Sequence, residues 1–158
     1  MTHSEYYSIS AIQTHSDSGD CIKRIDKASH LFDRNAVEKF ATYFLREMHL
    51  GSIQFESTEH LTDEDGVPYI AYLFIHEAMY IGACCFRLRE LGNLSSAWSM
   101  DWAWIDPFRR SQGHLSKAWP ILQTELGDFD VAKPTSKAMD AFLDKIARLA
   151  DTTSRIIK

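Results

Sequence analysis

Trp104-Ile105-Asp106-Pro107-Phe108-Arg109-Arg110-Ser111-Gln112-Gly113-His114-Leu115 is the stretch on which the fold turns. Residues 98–105 are rich in tryptophan and read as a strand. Pro107 ends it, because proline has no N–H to give to a sheet ladder. After the loop, Leu115, Trp119, Leu122 and Leu126 recur at helical spacing, with Gly127 as the stop. Pro120 fits such a helix only near its start or as a kink. A basic, polar loop therefore joins a strand to a helix. Its backbone N–H groups and the positive end of the helix together make a seat for an anion.

Outward from this stretch, residues 69–75 and 79–88 read as two strands around the turn His76-Glu77-Ala78, and Gly92-Asn93 turns the chain into the strand at 98–105. With a period of two, Trp98, Met100, Trp102 and Trp104 share one face, as sheet core or as the wall of an acceptor pocket. Ser99, Asp101, Ala103 and Ile105 take the other. Val37, Phe40, Ala41, Phe44, Leu45 and Met48 predict a helix of about 14 residues that starts at Asp33 or Asn35 and stops at Gly51. A weaker helical pattern covers 22–31. Beyond Gly127, residues 129–132 form a short strand, and Thr135 or Ser136 caps a last helix running to about Ala150. Residues 155–157 are a further strand or a frayed end. Residues 1–20 read as a loose tail or a first strand around Tyr6, Tyr7 and Ile9. The order implies an α/β (α+β) fold with a mixed, mostly antiparallel central sheet flanked by helices.

Composition bounds the rest. A chain of 158 residues suits one domain, here 1–158, which buries roughly 70% of its unfolded surface. The net charge of −5 argues against general nucleic-acid binding, which needs a basic surface. No apolar run approaches the roughly 18 residues of a membrane span, and the first residues lack the pattern of an export signal, so a cytoplasmic location is expected. Cys84 and Cys85 are neighbours in a strand and point to opposite faces, as reduced thiols. No second Cys/His cluster stands at zinc-ligand spacing, so no metal is expected.

With Pro107, Arg110 and Gly113 at their spacing after a strand, the loop resembles the acyl-CoA pyrophosphate loop of the GCN5-related N-acetyltransferases. That pattern runs proline, then Arg or Gln, two residues, Gly, one residue, then Gly or Ala. Leu115 stands at the last of these positions, where its side chain either crowds the cofactor or turns into the core. The resemblance implies an acyl-CoA N-acyltransferase-like fold over roughly 69–150 and acetyl-CoA as cofactor. Contacts to it are implied from Trp104, Ile105, Arg109, Arg110, Ser111, Gln112, Gly113, His114 and Leu115, with Ser136 from the last helix. Arg110, with Arg109 beside it, can add charge-assisted hydrogen bonds to phosphate oxygens. Backbone N–H groups near Trp104 and Ile105 are the implied oxyanion donors. Asp101 or Glu90 is the candidate base, or Asp101 is a structural or specificity carboxylate. No tyrosine follows Tyr80 to serve as the family's acid, so Ser136 or water takes that place. The implied reaction is acetyl transfer to a primary amine of a small molecule, peptide or protein, by an enzyme that forms a homodimer if it keeps the family habit. The alternative is a catalytically inactive fold of this type acting as a binding or dimerisation module.

Overall fold

Two consecutive hairpins set the sheet. The computed structural model describes residues 12–13, 20–49, 69–92, 95–133 and 135–157. In chain order these form β1 (Ile12–Gln13), β2 (Ile22–Ile25), α1 (Leu31–Met48), β3 (Tyr69–His76), β4 (Met79–Leu91), β5 (Ser95–Ile105), a 3-10 turn (Pro107–Arg109), α2 (His114–Leu126), β6 (Asp130–Val131) and α3 (Lys137–Ile157). The strand order is β2-β3-β4-β5-β6, with β1 against β4. Each pairing is antiparallel except β5 with β6. Hairpins force antiparallel neighbours, and the crossover through α2 makes the last pair parallel. The expected mixed, mostly antiparallel sheet flanked by helices is what the chain forms. No helix among the described residues is long and apolar enough to cross a membrane.

The helices cover the sheet on both faces. On one, Val37, Phe40 and Tyr43 of α1 pack with Cys85, Trp102 and Trp104; on the other, Trp119 and Leu122 of α2 pack with Cys84, Phe86 and Met100. Met139, Phe142, Leu143 and Ile146 of α3 close the second face. Cys84 and Cys85 thus fall on opposite faces, as strand alternation requires.

Several elements differ from the sequence expectation. Residues 22–25 are a strand, with Ile22 opposite Phe74 and Ile25 opposite Ala71. A short apolar pattern fits either period, and here pairing with β3 decides. The helix α1 begins at Leu31, ahead of Asp33. Asp33 does not cap it; its carboxylate accepts from the Tyr80 hydroxyl at 2.7 Å and from the Lys23 ammonium at 2.9 Å, tying α1 to the sheet. The helix ends at His49 in a left-handed conformation; Gly51, the expected stop, lies outside the described residues, as do Tyr6, Tyr7 and Ile9. Pro120 sits inside α2. At the C-terminal end, residues 155–157 continue α3 instead of forming a strand.

The largest difference lies in β5. Cys85 pairs with Trp102 and Phe86 with Met100, which leaves Asp101 as an extra residue. Such a bulge shifts the alternation by one. Trp98 and Met100 therefore pack against α2 and α3, while Trp102 and Trp104 pack against α1. The four do not share a face.

Candidate active site

The bulge opens a cleft at the edge of the sheet. β5 and β6 pair only at Ser99 with Asp130 and Met100 with Val131, after which the Ala132 N–H donates to the Met100 carbonyl at 2.8 Å. Beyond that bond β5 has no second strand partner among the described residues. The cleft there is lined by Asp101, Trp102 and Ala103 on one side and by Ala132, Ser136 and Met139 on the other.

Alternation decides which backbone groups face into this cleft. The Ile105 carbonyl accepts from the Arg110 side chain at 2.8 Å, on the side away from β4. Ala103, two residues earlier, presents its N–H on that same side, whereas Trp104 is directed to β4. The approach to β4 is close: a Cβ on Gly82 would lie 2.2 Å from the Trp104 carbonyl oxygen. Ala103, which the sequence reading passed over, joins Ile105 as a free-edge donor in place of Trp104. The Trp104 ring is buried against α1 at 2% exposure.

The loop from 106 to 113 is held by its own bonds. The Asp106 carboxylate accepts from the Phe108 N–H at 3.0 Å, and the Gln112 amide donates to the Phe108 carbonyl at 3.2 Å. Ser111 and Gly113 have φ of 61° and 82°. A Cβ on Gly113 would meet nothing within 4 Å, so the left-handed backbone, not crowding, calls for glycine. No side chain caps α2, so the N–H groups of its first turn lack an intrahelical partner.

Basic groups gather at this helix start. The rings of His114 and His76 lie edge to face at 4.9 Å between centroids. Burial chiefly, then His76, Lys117 and Arg109, hold the His114 imidazole below its ordinary pKa. Arg109 makes no side-chain hydrogen bond or ion pair among the described residues. An uncapped helix start, an open approach over Gly113 and a nearby free guanidinium fit a pyrophosphate. Leu115 packs against the core cluster of α2 and α3, which settles its direction as inward.

Arg110 ties the loop to the frame of the protein. Its two terminal nitrogens donate to the two Glu47 oxygens, each at 2.7 Å, while Nε holds the Ile105 carbonyl. The guanidinium lies over the Trp104 ring at 5.7 Å. The Glu47 carboxyl is held below its ordinary pKa, with the Arg110 hydrogen bonds the largest cause. The fork of Arg110 is committed to the protein, so Arg109 is the better placed of the two for phosphate. Glu47 lies in the last turn of α1, 63 residues away, and no local pattern marks it.

The catalytic candidates separate. Asp101 and Ser136 line the same cleft. The Asp101 side chain is only 1% exposed and meets Arg87 at 3.4 Å and Arg89 at 3.2 Å. This arrangement favours its structural reading. Glu90 is opposite Ser96 and exposed, roughly 13 Å along the strand from the cleft, and takes no part in it. The Ser136 hydroxyl oxygen accepts from the Met139 N–H at 3.1 Å as the cap of α3. Ser136, not Thr135, is therefore the cap.

The mixed, mostly antiparallel sheet flanked by helices is the acyl-CoA N-acyltransferase-like fold of the GCN5-related N-acetyltransferases. No model of a protein family matches the sequence, and no curated protein is detectably similar to it. Solved structures are. A ribosomal-protein-alanine N-acetyltransferase from Brucella melitensis biovar Abortus 2308 aligns with a TM-score of 0.53 at 14% identity, covering 80% of this chain and 89% of that one. An aminoglycoside acetyltransferase from an uncultured soil metagenomic sample aligns at 0.52 with 17% identity, over 80% and 84% of the two chains. A possible acetyltransferase from Clostridium difficile 630 aligns at 0.55 with 10% identity, over 81% and 90%.

Proposed function

We propose that the protein is an N-acetyltransferase that moves an acetyl group from acetyl-CoA to a primary amine. The observation that carries this reading is the cleft where β6 parts from β5 beside the Asp101 bulge, on the strand that leads through the loop into the uncapped start of α2. An acyl-pantetheine arm and a pyrophosphate need those two features side by side. Bound acetyl-CoA supplies the thioester carbonyl that the amine attacks.

The chain's own groups divide the remaining work. The Ala103 N–H donates to the carbonyl oxygen as it gains negative charge, and the donor is fixed in place by the strand. Ser136 receives a hydrogen bond from the Met139 N–H and so keeps its own O–H to donate a hydrogen bond to the leaving thiolate, which takes its proton from water. Asp101, held by Arg87 and Arg89, fixes the bulge. The amine loses its proton to water in the open cleft, the new N–C bond forms, and the C–S bond breaks. The α2 N–H groups, Arg109 and His114 hold the pyrophosphate.

The test is thiol release from acetyl-CoA in the presence of small primary amines, peptide N-termini and lysine peptides. Amine-dependent release supports the reading. Binding of acetyl-CoA without turnover of any of these acceptors makes the protein a binding module instead.

A further inference from the structure

Arg110 ties the loop before α2 to two other elements of the fold. The side-chain bonds from Phe108 N–H to Asp106 and from Gln112 to the Phe108 carbonyl close the loop on itself, while the Asp106 N–H donates to the Ile81 carbonyl of β4 at 2.8 Å and anchors the start of the loop. Arg110 reaches out of the loop by three side-chain hydrogen bonds, to Ile105 of β5 and to Glu47 of α1. The pair is half-buried, with each side chain 32% exposed, and is planar and two-pronged, a geometry that fixes orientation as well as distance. The Trp104 ring lies under the guanidinium and supports it.

The geometry points to Glu47 as a positioning residue for the acyl-donor loop: through Arg110 it fixes the backbone N–H groups that face the pyrophosphate, without touching the donor. The inference rests on the acetyl-CoA reading above. Small misplacements of donor groups are costly where several must converge on one anion. Loss of the Glu47 charge frees the guanidinium fork and lets the loop swing about Ile105. The effect falls on the pyrophosphate more than on the pantetheine arm, because the arm lies along β5, which its long ladder with β4 holds in place.

The experiment compares binding of coenzyme A and of pantetheine, which lacks the pyrophosphate, by calorimetry on the wild type, Glu47→Gln and Glu47→Asp. Glu47→Gln is expected to weaken coenzyme A about tenfold, a change of about 1.4 kcal/mol, and to leave pantetheine unchanged. Glu47→Asp keeps the charge and recovers most of the loss. If Glu47→Gln does not fold, the Glu47→Asp comparison alone decides, with a smaller but still selective loss expected. Equal coenzyme A affinity in variant and wild type overturns the inference, and so does an equal loss for both ligands. Failure of the wild type to bind coenzyme A overturns the acetyl-CoA reading itself and this inference with it.

Discussion

Arg110 and Glu47, 63 residues apart in sequence, meet as a two-pronged ion pair with both N–O distances at 2.7 Å. The pair joins the end of α1 to the start of the loop before α2, so one contact couples the fold to the candidate donor site. A charged residue at a motif position is here part of the frame.

Removing that contact costs stability. Arg110→Ala leaves the Glu47 carboxylate half-buried without its main partner, and charge-assisted hydrogen bonds contribute about 1.5–3 kcal/mol. With each side chain 32% exposed, solvent screening puts the expected loss near the lower end, about 1.5 kcal/mol. Urea unfolding of the variant against the wild type measures it. An unchanged midpoint contradicts the assignment.

The same pair sets an acid limit. The folded-state pKa of Glu47 lies below its ordinary value of 4.5, so its contribution is fully present above about pH 4.5 and is lost as pH falls through the lower, folded value. The stability difference between wild type and Glu47→Gln therefore narrows below pH 4.5 and is constant above it. Denaturant titrations between pH 3 and 7 follow this directly; a difference that widens in acid contradicts the sign.

Gly82 is required by close approach. A Cβ there meets backbone, the Trp104 carbonyl oxygen at 2.2 Å and the Ile105 Cα at 2.8 Å, and strand backbone cannot rotate away. Gly82→Ala is expected to destabilise by more than about 3 kcal/mol, at the upper end of overpacking costs, and to disturb the free edge that carries Ala103. Urea unfolding with far-ultraviolet circular dichroism reads the loss. A cost under about 1 kcal/mol contradicts the tight β4–β5 packing.

Asp101 offers a way to tell a frame residue from a base. Asp101→Asn removes the charge that Arg87 and Arg89 share, and because those side chains are 24% and 46% exposed, the expected cost is about 1–2 kcal/mol, below that of a fully buried pair. The rate at saturating substrates falls less than tenfold, whereas loss of a general base costs about 100- to 10,000-fold. Parallel melting and kinetics separate these outcomes. A large rate loss with unchanged stability assigns Asp101 the proton.

The strand, loop and helix from 98 to 126 were legible in the sequence because proline, glycine and helical periodicity are local signals. The hairpin turn was legible for the same reason. What escaped was non-local. The bulge at Asp101 adds one residue to β5 without any change in composition, so an unbroken period of two placed Trp98 with Trp104 although the sheet separates them. Glu47 carries no motif, and its partner is chosen only when α1 packs on β5. Residues 22–25 are too short a segment for periodicity to separate strand from helix. In the site, Gly113 and Ser136 fell where their local chemistry implied, while the roles of Arg110 and Trp104 depended on tertiary contacts.

Thermal melting with and without saturating acetyl-CoA, with ATP as the phosphate control, tests the central claim most directly. Binding to the folded state alone raises the melting temperature, by about 2.7 kcal/mol of stabilisation at a hundredfold excess over Kd. The account predicts a rise with acetyl-CoA and none with ATP. No shift with acetyl-CoA, or an equal shift with both, contradicts it.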